Sequence, residues 1–233
     1  MNKHEIFKTG TMILLTFVFS SILITACSKA PAIETEKDDI STKTSIAYSL
    51  TDIPVTPAEI AAFPFEELST EEIAALTFMR EEEYLAHDVY YKLYQKYHKP
   101  IFNNIKKSEL VHTNAIKALL VKYNLPDPAV NHVTGVFSDP TMQNLYNTLI
   151  AQGYISMMNG LVVGATIEDL DIFDLNNHLL EVDNQDILFT FNNLRRGSCN
   201  HMRAFYANIK AFGGSYTPQY ISQEEFDEII YGK

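Results

Sequence analysis

Ile105-Lys-Lys-Ser-Glu109-Leu-Val-His112-Thr-Asn-Ala-Ile116-Lys-Ala-Leu119-Leu-Val-Lys-Tyr123 is the stretch from which the fold is read. Ile105, Ile116, Leu119 and Tyr123 fall on one line whose steps alternate between four and three residues, the period of a helix with one face turned inward. Glu109 and His112 occupy the remaining places on that line, so a carboxylate and an imidazole are carried toward the core one turn apart. The helix is expected from about Asn103 to Tyr123, with Pro126 beyond its end.

Outward from this stretch the pattern stays helical. Ser69 and Glu72 fit a capping box, and Leu76, Met79, Ala86, Val89, Tyr90 and Leu93 share a broad face of a first helix that stops at Pro100. After the second helix, Asp139 and Pro140 open a short helix that ends at Gly153. A third long helix is expected from Ser156 to His178, and a fourth from Asp186 to the Gly213-Gly214 pair. A last short helix lies near Glu224 to Tyr231. No alternation is long enough for a sheet. The expected fold is all-α: four main helices, with a long crossover containing a short helix between the second and third, an arrangement found in ferritin-like bundles.

Other ionisable residues share the inward faces. Glu83 continues the line Leu76, Met79, Ala86, Tyr90, while Glu82 lies nearer the Phe78, Leu85 and Val89 side, so the inward carboxylate of the first helix is either one. Glu168 follows Leu161 and Ala165, with Asp171 one turn later, and His201 follows Leu194 and Ser198. An ionised carboxylate buried alone costs several kcal/mol, which a divalent cation removes directly. Glu-x-x-His on one helix face is the ligand spacing of di-iron carboxylate bundles. Glu109, His112, Glu168 and His201, together with either Glu83 or Glu82, are therefore the expected metal ligands, with Asp171 and Ser198 behind them, and iron or manganese the expected metal. Ser198 stands where a second Glu-x-x-His would have its glutamate. His87, His98, His132 and His178 read as surface or loop residues.

The N-terminus carries an address. Lys3 and Lys8 precede an apolar run, residues 11–24, shorter than the roughly 20 residues a spanning helix needs. Ile24-Thr25-Ala26-Cys27 resembles the bacterial lipobox. The expectation is a signal peptide over residues 1–26, lipid on Cys27, a tether over 27–67 and a helical domain over 68–233, anchored outside a bacterial membrane in the periplasm or at the cell surface. Only Cys199 remains in the mature chain, so no internal disulfide forms. The formal charge of −11 argues against nucleic acid as a partner. The sequence names no substrate and no protein partner.

Arg80-Glu-Glu-Glu-Tyr-Leu-Ala-His-Asp-Val-Tyr90, Ser108-Glu-Leu-Val-His112, Gly164-Ala-Thr-Ile-Glu-Asp-Leu-Asp-Ile172, Gly197-Ser-Cys-Asn-His-Met-Arg-Ala-Phe205 and Tyr216-Thr-Pro-Gln-Tyr220 resemble the family called domain of unknown function 2202. That family resembles a branch of the ferritin-like superfamily, and Glu83-x-x-Ala86-x-x-x-Tyr90 followed by Glu109-x-x-His112 is similar to the first half of rubrerythrins. The resemblance implies a four-helix bundle with a carboxylate-bridged metal pair, and favours Glu83 over Glu82. It carries no established activity. The chemistry expected is that of a di-metal oxidoreductase acting with oxygen or peroxide, Tyr90 supplying an electron or only packing. The alternative is a non-catalytic envelope binding or scaffold module whose buried polar residues form a degenerate, metal-free hydrogen-bonded core, a reading that Ser198 favours; an inward Arg195, Arg196 or Arg203 would pair with Glu109 or Glu168 and leave no place for a cation.

Overall fold

Ser69 and Glu72 cap each other as their spacing predicts: the Ser69 hydroxyl accepts from the Glu72 amide at 3.0 Å, and Glu72 Oε2 accepts from the Ser69 amide at 2.8 Å. They open a helix of 28 residues in the computed structural model of the chain, which describes residues 55–232. The described residues are all-α, with seven helices and no strand: α1 (Pro57–Ala62), α2 (Thr70–Tyr97), α3 (Pro100–Lys122), α4 (Pro140–Gly153), α5 (Met157–His178), α6 (Gln185–Ala211) and α7 (Gln223–Tyr231). The long helices pack side by side, α2 along α3 and α5 along α6, with α3 against α6 and α2 against α5. Helix α4 lies in the connection between α3 and α5 and packs on α2 and α5.

Local rules account for the ends. His98 takes the left-handed conformation at φ 52° and turns the chain out of α2, so Pro100 begins α3 earlier than the expected Asn103; its fixed φ and missing N–H suit a first helical turn. Asp139 caps α4 by accepting from the amides of Thr141 and Met142 at 2.6 and 3.1 Å. At α6 no side chain caps from the N-cap position. Glu72 Oε1 takes the Asp183 and Asn184 amides instead, joining the starts of α2 and α6.

Residues 55–67 were expected to close a tether, yet Thr56 caps α1 through its own capping box, and Val55 and Ile60 are buried beside α3. Pro57 sits in the first turn of α1, where proline is tolerated. Helical structure among the described residues thus begins ahead of residue 68. The signal peptide, Cys27 and the rest of the tether lie outside the described residues. No described helix is long and apolar enough to cross a membrane.

The core is divided. One apolar cluster gathers Val89, Leu93, Phe102, Ile105, Leu161, Ala165, Met202 and Phe205. A second gathers Leu76, Met79, Ile116, Leu119, Leu175, Phe191 and Leu194. On each long helix the residues between the two clusters are polar and buried: Glu83 on α2, Glu109 and His112 on α3, Glu168 and Asp171 on α5, Ser198 and His201 on α6.

The C-terminal segment is held by one carboxylate. Asp169 accepts from the Tyr216 hydroxyl at 2.7 Å and from the amides of Gln219, Tyr220 and Ile221, which fixes the Tyr216-Thr-Pro-Gln-Tyr220 turn against α5. Next to the polar layer, Gly164 permits a close approach of α5 and α6: a Cβ there would lie 2.2 Å from the Phe205 ring. Phe205 also packs on Tyr90, whose hydroxyl donates to the Gly164 carbonyl at 3.2 Å. Gly164→Ala is therefore expected to lower stability by about 2 kcal/mol through overpacking, seen as an earlier denaturant midpoint; an unmoved midpoint would mean that the ring yields freely.

Candidate metal centre

Arg80-Glu-Glu-Glu83 is a run of four charged side chains, all buried. Successive residues on a helix point about 100° apart, so each meets a different neighbour. Arg80 donates to Asp127 at 2.9 and 3.0 Å and to the Thr113 carbonyl at 2.8 Å. Glu81 accepts from the amides of Ser138 and Asp139. Glu82 faces Asp174 and Asp171 on α5. Glu83 turns to α3, where its Oε2 lies 3.3 Å from His112 Nδ1.

Glu109 joins the two halves of the centre. Its Oε2 stands 2.9 Å from His112 Nδ1, and its Oε1 stands 3.0 Å from His201 Nδ1. His201 Nδ1 is also 3.3 Å from Glu168 Oε2. Two ligand groups result, Glu83 with Glu109 and His112, and Glu109 with Glu168 and His201, each with its donor atoms within 4.8 Å of one another and every residue buried. The imidazoles lie nearly parallel, 5.5 Å apart. The Tyr90 hydroxyl donates to Glu168 Oε1 at 2.5 Å.

All five residues singled out as first choice from the sequence thus meet at one place, contributed by α2, α3, α5 and α6. Asp171 and Ser198 border it, hydrogen bonded to each other. Glu82 is as deeply buried as Glu83 but belongs to neither ligand group. The arginines flanking His201 turn away. Arg195 engages Asn176 and Glu225, Arg196 engages Asn193, and Arg203 engages the Ile229 carbonyl and Asn200.

Of the histidines read as surface or loop residues, His132 lies in the α3–α4 connection, while His87 is half-buried on α2. His87 and His132 contact the two oxygens of Asp88 at 2.9 and 2.8 Å, and the Gly135 amide donates to the same carboxylate at 2.6 Å. Asp88 is fully buried. This cluster pins the α3–α4 connection to the outer face of α2, and its partners are too far apart in sequence for periodicity to reveal them. His178 is also partly buried, against Phe78 and Phe191, whereas His98 is exposed as expected.

A family model described as an uncharacterized protein domain (DUF2202) matches residues 72–233. An uncharacterized protein of the archaeon Methanocaldococcus jannaschii, MJ0754, is 52% identical over 171 residues, which cover 73% of this chain and 92% of that protein. The crystal structure of the hypothetical protein MJ0754 from Methanococcus jannaschii is similar to this one with a TM-score of 0.72 and 51% identity, covering 72% of this chain and 97% of that chain.

The electrostatics of the metal-free centre follow from burial and crowding. Burial pushes the Glu83 carboxyl up to about 7, His112 pulling against it and Glu109 adding to it. Burial and the Glu109 charge push Glu168 up to about 7. Burial disfavours the Glu109 charge as well, but His201 and His112 outweigh it and hold that carboxyl down to about 2. Glu82 and Asp171 are raised further, by burial first and then by neighbouring carboxylates. In an unfolded chain Glu83 and Glu168 lose their protons near 4.5, so between 4.5 and about 7 the folded state holds more protons. Their contribution to stability is full below the lower value and is lost as pH rises through the upper one. His178, pushed down by burial, works in the opposite direction but is a single group. The melting temperature of chelator-treated protein is expected to fall by more than about 5 °C between pH 5 and pH 8; a flat or rising profile would contradict this charge distribution.

Proposed function

The chain belongs to the DUF2202 family, and we propose that it is a ferritin-like, lipid-anchored domain of the cell envelope whose interior binds a pair of iron or manganese ions for redox chemistry. One observation carries the reading: a single carboxylate, Glu109, presents one oxygen to each of two histidines, and each histidine is matched by a further glutamate, Glu83 or Glu168. The envelope location rests on Lys3, Lys8, the apolar run and Cys27 in the sequence.

The residues fit such a pair. Carboxylate and imidazole donors suit iron and manganese, and the absence of thiolates from the set argues against softer metals. Glu83 Oε1 is buried without a hydrogen-bond partner, as is Asp171 Oδ1, and unpartnered buried oxygens are costly unless a cation neutralises them. None of the arginines flanking His201 competes for the core, since Arg195, Arg196 and Arg203 turn outward.

Bound iron or manganese supplies one-electron chemistry with small oxidants such as oxygen or peroxide. The chain's own contribution is order and exclusion. His112 and His201 fix the two halves, and Glu109 holds them at a common distance. The Tyr90 hydroxyl, donating to Glu168, sets the orientation of that carboxylate and holds a proton one hydrogen bond away from the centre. Burial and the Glu168 charge keep this phenol protonated. The apolar clusters on either side keep bulk water out, which strengthens every interaction between them.

The full chain, purified in mild detergent and loaded with iron or manganese, is expected to retain close to two ions and to melt at a higher temperature than its chelated form. His112→Ala should lose at least one ion and most of that thermal gain. Negligible metal in both parent and variant would end the proposal.

A further inference from the structure

The sequence leaves a gap at position 198, where a symmetric centre would place a glutamate three residues before His201, but the structure fills the same space from another helix. Asp171 lies on α5 one turn after Glu168, on the face that also carries Glu168 inward. The Ser198 hydroxyl donates to Asp171 Oδ2 and is itself steadied at 3.0 Å from the Leu194 carbonyl. Both side chains are buried, and Asp171 Oδ1, the oxygen not engaged by Ser198, has no hydrogen-bond partner.

We propose that Asp171 is the fourth carboxylate of the metal pair, transferred from α6 to α5, and that Ser198 is the positioning residue that holds it there. Charge favours the assignment. Two divalent ions bring four positive charges, of which Glu83, Glu109 and Glu168 balance three. A net charge left in a core between two apolar clusters costs several kcal/mol, and one further carboxylate removes it. Asp171 lies one turn from Glu168 on α5 and borders the Glu109, Glu168 and His201 group through its hydrogen bond to Ser198, three residues before His201. Glu82, the other deeply buried acid nearby, faces Asp174 and Asp171, and among the described residues no hydroxyl positions it as Ser198 positions Asp171.

This inference rests on the metal reading, and the test separates the two. The full chain, Asp171→Asn and Ser198→Ala are each titrated with ferrous or manganous ion, recording ions per chain, affinity for each ion, and melting temperature with and without metal. Asparagine keeps the shape and the hydrogen bond to Ser198 while removing the charge, so Asp171→Asn should fold. Its affinity for the second ion is expected to fall roughly a hundredfold, and that of Ser198→Ala about tenfold, the first ion being little affected in either. Uptake of both ions by Asp171→Asn with the parent's affinities overturns the assignment while leaving the metal pair standing. A parent chain that takes up no metal overturns both.

Discussion

Charge buried between two apolar clusters is the condition on which the rest of the structure depends. The four long helices would pack as one continuous hydrophobic core if Glu83, Glu109, His112, Glu168, Asp171, Ser198 and His201 were aliphatic. Instead each helix interrupts its stripe at the same level. Such a layer is tolerable only if its groups neutralise one another or share something that does. Its geometry favours the second, because the histidines are distributed one to each side of Glu109 and are not gathered into a single ion pair.

The surroundings support that layer. Arg80, the buried guanidinium closest in sequence to the centre, is committed to Asp127 and Thr113 on the other side of α2, and Asp88 and Asp169 are satisfied by histidines, a tyrosine and backbone amides. Asp88 and Asp169 thus have named donors. Glu82, Glu83 and Asp171 instead keep oxygens unengaged, which distinguishes this buried region from the structural carboxylates around it.

Much of this was legible in the sequence where local rules apply. The capping residues Ser69 and Asp139, the four long helical stripes and the inward line through Glu109 and His112 need only period and cap chemistry. What was not legible had two physical causes. Where a helix is buried over most of its circumference, as α2 is from Arg80 to Glu83, a helical wheel cannot choose between neighbouring glutamates, because there is no solvent side to reject one of them. And where a carboxylate serves groups 44 to 52 residues away, as Asp88 and Asp169 do, no local pattern announces it. Position 57 shows a subtler limit: a proline that breaks a helix interior also starts one, and only packing of Ile60 decides which.

The two-sided role of Glu109 also shapes how such a centre can decay over evolutionary time. With the proposed metal pair bound, loss of Glu83 or His112 would silence one flank and loss of Glu168 or His201 the other, so a lineage abandoning the proposed chemistry could do so in instalments. Position 109 allows no such half measure, since both flanks lean on the same residue. Descendants drifting toward a purely structural life are therefore expected to surrender it last, and its replacement marks a member of the family that has given up the centre altogether.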